Sequence, residues 1–206
     1  MIRNIPYLHN NNYHTYLLKK RQVNFCGGTT PLEQTNLGKC PEGYIGKVNV
    51  SKNNQRATLN VFKENLSEHV ENYTFKNNAN ETIGNINLFI IKPLNRWGEF
   101  DTGYIMVDEL RNYSNPNSAF HNHKLEEYKN VGIRLMQLAL KRSYEERCDG
   151  NIKLVPLTRA TNWYINIIGM KLEKTFDFVK SGVLFLPQES KEALLKLRGG
   201  LCLTAR

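Results

Sequence analysis

The segment Lys129-Asn130-Val131-Gly132-Ile133-Arg134, running on without a break to Arg147, decides how the rest of the chain is read. Ile133, Met136, Leu140 and Tyr144 recur at helical spacing, and Leu135, Leu138 and Ala139 widen the same face. This spacing predicts a helix over 131–147 with one apolar side laid on a core. Asp149-Gly150 stops it. The start of the helix has chemistry of its own. The first four amides of a helix lack internal partners, and the helix dipole places about half a positive charge there. Gly132 removes a side chain that would hold a ligand away from the backbone. Lys129 and Arg134 add full positive charges. Such a turn suits a pyrophosphate. On these six residues alone, an ordinary helix start with one glycine reads the same.

Upstream, Asn112 to His123 is a polar loop, long enough to be functional or mobile. Before it, Phe100 to Val107 and Thr82 to Ile91 read as strands, the latter ended by Pro93. Tyr44 to Val50 and Ala57 to Phe62 alternate apolar and polar residues, as half-buried strands do, with Asn53-Asn54 as a hairpin turn. Glu64 to Tyr73 is expected as a short helix or a long connection. Downstream, Ile152 to Leu157 has strand length, and Ala160 to Ile168 reads as a second helix closed by Gly169. Lys171 to Val179 and Val183 to Leu186 alternate again, and Pro187 opens a terminal helix over 189–198. Strands, loop, helix, strand, helix, strands is an α+β order: a mixed, mostly antiparallel sheet flanked by helices. The partition expected is an irregular extension with one short helix, Tyr13 to Val23, over 1–42, a catalytic-size domain over 43–187, and a helix with a tail over 188–206.

The whole chain has 206 residues, 40% hydrophobic and 23% charged, with a formal net charge of +9. That is enough chain for one soluble domain without staples. Its hydrophobic runs fall short of the roughly 18 residues that span a membrane. The first residues hold no continuous apolar stretch of signal-peptide kind, which points to the cytoplasm. Four cysteines without CxxC spacing argue against a zinc ribbon and suit a reducing compartment. The basic balance favours anionic partners. A nucleic-acid binder is disfavoured, because no dense Lys/Arg run is interleaved with aromatics.

Past the long helix come Ala160-Thr161-Asn162-Trp163-Tyr164 and Gly169-Met170. Together with the 129–134 turn, these residues resemble the GNAT-type N-acetyltransferase family. Its signature is Q/R-x-x-G-x-G/A at the helix after the fourth strand, then A-x-x-F-Y and G-F. Lys129 stands for the Q/R, Gly132 for the first glycine and Arg134 for the second small residue. Ala160, Trp163 and Tyr164 match A-x-x-[aromatic]-Y, and Gly169-Met170 stands for G-F. The resemblance spans residues 43–187.

Acetyl transfer from acetyl-coenzyme A to an amine is what the resemblance implies, without a metal. Lys129, Asn130, Val131, Gly132, Ile133 and Arg134 would bind the pyrophosphate, and the backbone of Met106 and Val107 the pantetheine arm. The backbone near Val107 would meet the oxyanion. Tyr164 would protonate the leaving thiolate. A lysine-like amine is neutral about once in two thousand at pH 7, so a base is useful. Asp101 takes that role, with Glu99 on the same strand face or a loop histidine as alternatives. Leu157 stands where the family often has Asn, and Thr158 or Asn162 takes its place. Arg134 is bulky: it turns away from the cofactor, pairs with a phosphate, or marks a degenerate site. The alternative function is therefore a non-catalytic binding module on the same fold. His121-Asn122-His123 lacks the spacing of a metal site. Cys148, among Glu145, Glu146 and Asp149, is a poor nucleophile. The acceptor, the acyl length and the oligomeric state are not legible.

Overall fold

The computed structural model describes residues 41–92, 102–174, 182–197 and 201–203. Five strands come first: β1 (Tyr44–Lys52), β2 (Gln55–Ser67), β3 (Val70–Lys76), β4 (Thr82–Ile91) and β5 (Tyr104–Asn112). Each pairs antiparallel with the next. A two-residue strand, β6 (Tyr128–Lys129), pairs with β1 and leads into α1 (Val131–Glu145). Next come β7 (Ile152–Leu154) and a helical segment over 158–168. That segment is a 3-10 turn (Thr158–Ala160), the single α turn α2 (Thr161–Trp163) and a π-helical turn (Tyr164–Ile168). Then follow β8 (Lys171–Lys174), β9 (Val183–Phe185), α3 (Gln188–Lys196) and β10 (Leu201–Leu203). The strands form one sheet in the order β10-β1-β2-β3-β4-β5-β7-β9-β8. Within it β5 and β7 run parallel. The architecture is the mixed, mostly antiparallel α+β class expected from the element order.

Local chemistry accounts for the tight turns. Asn53 and Asn54 both take positive φ, 50° and 61°. Two left-handed residues in a row twist a hairpin the way its strands twist, and Asn tolerates that region better than most side chains. Residues 64–73 are not a helix or a long connection: β2 runs to Ser67 and β3 resumes at Val70. The polar run Lys63-Glu64-Asn65 hid a strand whose exposed residues face water and whose backbone is paired on β3.

The sheet has one buried face and one open face. Val48, Leu59, Val61, Phe75, Ile86, Leu88, Ile105 and Val107 line the first and are almost wholly covered. Asn49, Asn60, Asn72 and Asn87 alternate with them on the second, where they are only partly covered. α1 lies on the buried face through Leu135, Met136, Leu138 and Ala139, and α3 packs on α1. Each fully buried aliphatic side chain contributes about 1.5–3 kcal/mol, so packing, more than propensity, holds α1 in place.

Polar ties fix both ends of α1. Near its C-terminus Arg142 grips Glu71 of β3 with two hydrogen bonds of 2.8 Å. Lys63 and Tyr73 also donate to that carboxylate, at 2.5 and 2.7 Å. Burial pushes the Glu71 carboxyl up, but the bonds from Arg142, Lys63 and Tyr73 outweigh it and hold it below its ordinary value. Near the N-terminus, Arg134 donates to the Asn49 carbonyl at 3.0 Å and to Gln137 at 2.7 Å. Gln137 in turn donates to the Leu194 carbonyl of α3 at 2.6 Å.

Three further findings differ from expectation. The strand expected to end at Val107 continues to Asn112. The one expected over Ile152 to Leu157 stops at Leu154, leaving Val155 and Leu157 exposed. Residues 201–203, given to a tail, form β10 and pair with β1 at Gly46, Lys47 and Val48. Gly46 permits this: it takes φ +148°, and any Cβ there would lie 2.2 Å from the Cys202 carbonyl oxygen.

Candidate active site

β5 and β7 part company after the pair Val107–Leu154. β7 ends, while β5 runs on through residues 108–112 with its β7 side unpaired among the described residues. The result is an opening past the end of β7, walled on one side by the free edge of β5, with main-chain donors and acceptors that an extended ligand can pair with.

A β-bulge shapes that wall. Leu88 faces Val107 but Asn87 faces Glu109, so Asp108 is the extra residue. Before it, Ile105 and Val107 point to the buried face. After it, the register shift sends Leu110 there instead. A bulge re-aims side chains and ends pairing, which is why the opening starts here. The sequence carried a trace of it. Ile105, Val107 and Leu110 break the two-residue period by one.

At the head of the opening stands the start of α1. Asn130 takes φ 68° and makes no side-chain cap. Its carbonyl accepts the Arg134 amide at 3.0 Å, the first bond of the helix. That leaves the amides of Val131, Gly132 and Ile133 ahead of the helical ladder, as free first-turn donors. Arg134, expected among the anion ligands, has its guanidinium turned into the protein. Only 8% exposed, it spends its guanidinium on Asn49 and Gln137, and its amide is inside the helix. Burial lowers the pKa of this guanidinium from its ordinary value. Lys129 lies beside the turn, paired with Ser51 through β6, its ammonium 3.2 Å from the Asn54 side chain.

Gly132 also has a packing reason that the local sequence did not show. A Cβ there would meet the Trp163 indole at 3.0 and 3.1 Å, with Leu110 at 3.9 Å. The missing side chain makes room for a tryptophan laid against the first turn of α1. Nothing in the local sequence tied Trp163 to Gly132, because the contact joins segments 31 residues apart. Trp163 in turn meets Tyr164 edge to face, centroids 4.9 Å apart.

Tyr164 is 7% exposed, and burial pushes its phenol up to about 12. It opens the π-helical turn, a local widening often found where a side chain must be aimed. Its hydroxyl makes no hydrogen bond with any described residue. Asn162 is exposed on the same segment, while Met106 is half-buried and Val107 buried on β5. Asp101 and Glu99 lie outside the described residues, as does Trp97. His121 is held by the loop, its Nδ1 3.2 Å from the Tyr113 carbonyl and its ring edge-on to His123 at 4.5 Å. Among the described residues no three His, Cys, Asp or Glu side chains gather around a metal-sized space. Burial, then Glu146 and Asp149, push the Cys148 thiol up, in keeping with the expected poor nucleophile. Among the described residues, no helix is long and apolar enough to cross a membrane.

No protein-family model matches the sequence, and no curated protein matches it in sequence. Solved structures do match in three dimensions. An acetyltransferase of the GNAT family from Staphylococcus aureus Mu50 aligns with a TM-score of 0.38 and 13% identity, over 56% of this chain and 66% of its own. A mutant AtaT toxin bound to the C-terminus of the antitoxin AtaR and acetyl-CoA aligns at 0.41 and 15%, over 62% and 74%. Tetrahymena GCN5 aligns at 0.36 and 15%, over 66% and 67%. The chain thus spans about two-thirds of the first of these. The first is described as a GNAT-family acetyltransferase, and all three match at low identity.

Proposed function

We propose that the chain is an N-acetyltransferase that moves an acetyl group from acetyl-coenzyme A to a primary amine. One observation carries the reading. The first turn of α1 lies at Gly132 against Leu110, on the stretch of β5 that runs past β7, and against Trp163, whose ring meets that of Tyr164. An extended amide arm ending in a diphosphate fits a strand edge leading to a helix start. The residues present suit that group except at Gly132, where Trp163 takes up space.

Acetyl-coenzyme A supplies the acyl group as a thioester: a C–N bond forms, the C–S bond breaks, the amine loses one proton to the base, and coenzyme A departs as a thiolate that takes a proton from solvent. Main chain at Met106 and Val107 would hold the arm. The amides of Val131, Gly132 and Ile133 would hold the diphosphate, with Lys129, Asn130 and Asn162 at its margin. Asp101 remains the proposed acceptor of the amine proton. Tyr164 stays protonated at any ordinary pH, since its phenol titrates at about 12. Full transfer from so weak an acid to a thiolate of ordinary pKa near 8.5 is uphill. Its part is therefore to donate a hydrogen bond to the developing thiolate, in a site where burial strengthens that bond.

A second reading, a binding module without catalysis, is favoured by the Trp163 indole against Gly132. Thermal denaturation with coenzyme A separates the two. Ligand at about a hundred times its dissociation constant stabilises by about 2.7 kcal/mol, a shift of several degrees. The acetyltransferase reading expects that shift, together with acetyl-CoA turnover on an amine panel. No shift at millimolar coenzyme A would leave the binding module.

A further inference from the structure

Resting on the acetyl-transfer reading, we infer that the acceptor is a small zwitterion of the amino-acid type, bound on the open face of the sheet between Tyr104, Lys153, Glu173 and Phe185. A cavity of about 300 Å³ lies there, at the size of a small-molecule site. Its place in the sheet is specific. Lys153 pairs with Met106 on one side and Phe185 on the other, one residue short of Val107–Leu154, where the strands separate. One residue of strand is about 3.3 Å. The cavity therefore lies on the open face, with Lys153 one residue from where the β5–β7 pairing ends and Thr102 and Asn151 farther down the strands, while Tyr164 belongs to the buried core. An arm running down the β5 edge from the helix start meets the β5–β7 pairing next to Lys153.

The lining matches a ligand carrying both charges. The Lys153 ammonium is 2.7 Å from the Glu173 carboxylate and 4.8 Å from the centre of the Tyr104 ring. Both partners remain partly exposed, at 28% and 40% of their side chains. Such a pair is worth little by itself, so it opens at small cost. A molecule with an amine beside a carboxylate replaces each partner with its own opposite charge: carboxylate on Lys153, amine on Glu173. The rings of Tyr104 and Phe185 give an apolar side chain a wall, and the Asn151 amide, bonded to Thr102 at 3.0 Å, closes the cavity with fixed polar groups. A polycation has no use for Lys153, and the net charge of +9 draws carboxylates towards the chain.

Calorimetric titration of L-phenylalanine, with and without coenzyme A, tests this. Saturable binding is expected in at least one of the two conditions. Phenylalanine methyl ester keeps the amine and lacks the carboxylate, and should bind about tenfold more weakly or worse. In Lys153→Met the acid and the ester should bind alike. That comparison lies within one variant and does not depend on its stability. The proposal is overturned by equal binding of acid and ester to the parent protein, by no phenylalanine binding in either condition, or by tighter binding of spermidine. Coenzyme A is titrated alone in parallel. Binding of coenzyme A without phenylalanine sinks the acceptor and spares acetyl transfer, and the converse sinks acetyl transfer and with it the acceptor role, leaving only a zwitterion-binding cavity.

Discussion

Tyr164 and Gly132 show how far single residues could be read. The tyrosine was visible from its motif, and the structure places it buried, with a hydroxyl unbonded among the described residues, on a π-helical turn. Tyr164→Phe should lower kcat about ten- to a hundredfold, the scale of one donor lost from a developing charge. It should leave coenzyme A affinity within about twofold, and steady-state rates with a separate binding titration check both numbers. Unchanged turnover would free Tyr164 of any part in the chemistry. Gly132 was legible as a glycine required at a helix start, but its neighbour Trp163 was not. Its space belongs to Trp163, so Gly132→Ala must push the indole by a few tenths of an ångström. The expected outcome is a changed near-ultraviolet circular dichroism band of tryptophan and coenzyme A affinity lowered severalfold. An unaltered band would mean that the indole does not rest on that turn. Arg134 could not be placed by pattern. A basic residue near a helix start suits a phosphate and an internal tie equally, and the carbonyl of Asn49 that captures it is 85 residues away.

Elements with a strong period were legible, and those without one were not. Thr82 to Ile91 is β4 to the residue, and the long helix differs from α1 by two residues at its end. β2 and β3 were missed over 64–73 because Glu64, Asn65 and Glu68 look like loop, while the strands are sustained by backbone pairing. The same region hides the tie between β3 and α1. Glu71 is 5% exposed and bonded by Arg142, Lys63 and Tyr73. Glu71→Gln leaves Arg142 its bonds to Glu145 and Glu146 but removes its link to β3, and should cost about 1–3 kcal/mol, read from denaturant unfolding at neutral pH. The acid limb carries the sign. Because the folded pKa of Glu71 lies below its ordinary 4.5, its contribution is whole above that value and fades as pH falls through the lower folded value. The parent protein should therefore lose stability on acidification below about pH 4.5 more steeply than Glu71→Gln does. Parallel slopes would show that the carboxylate is not what holds α1 to β3.

At the scale of the whole molecule, the sheet is closed at one edge by the chain's last described residues. β10 sits on β1 because Gly46 lets the Cys202 carbonyl approach. Gly46→Ala forces a Cβ into that oxygen at a φ that side chains rarely adopt, and should cost about 1–3 kcal/mol. Hydrogen exchange should then quicken at 201–203 and at the β1 residues they pair with, before the rest of the sheet. Uniform exchange through the whole sheet would contradict a locally docked strand. The alternation of apolar and polar residues and the long amphipathic helix were enough to determine an α+β sheet with α1 on one face, and the 129–134 turn to single out the start of that helix. Those features depend on neighbours three or four residues apart, and a chain carries them in its own order. The bulge at Asp108, the parting of β5 and β7, the turning of Arg134 into the protein, Trp163 on Gly132 and the cavity at Lys153 were decided by tertiary structure. Each arises from register or contact between segments distant in sequence, where many partners satisfy the same local chemistry and only packing selects one.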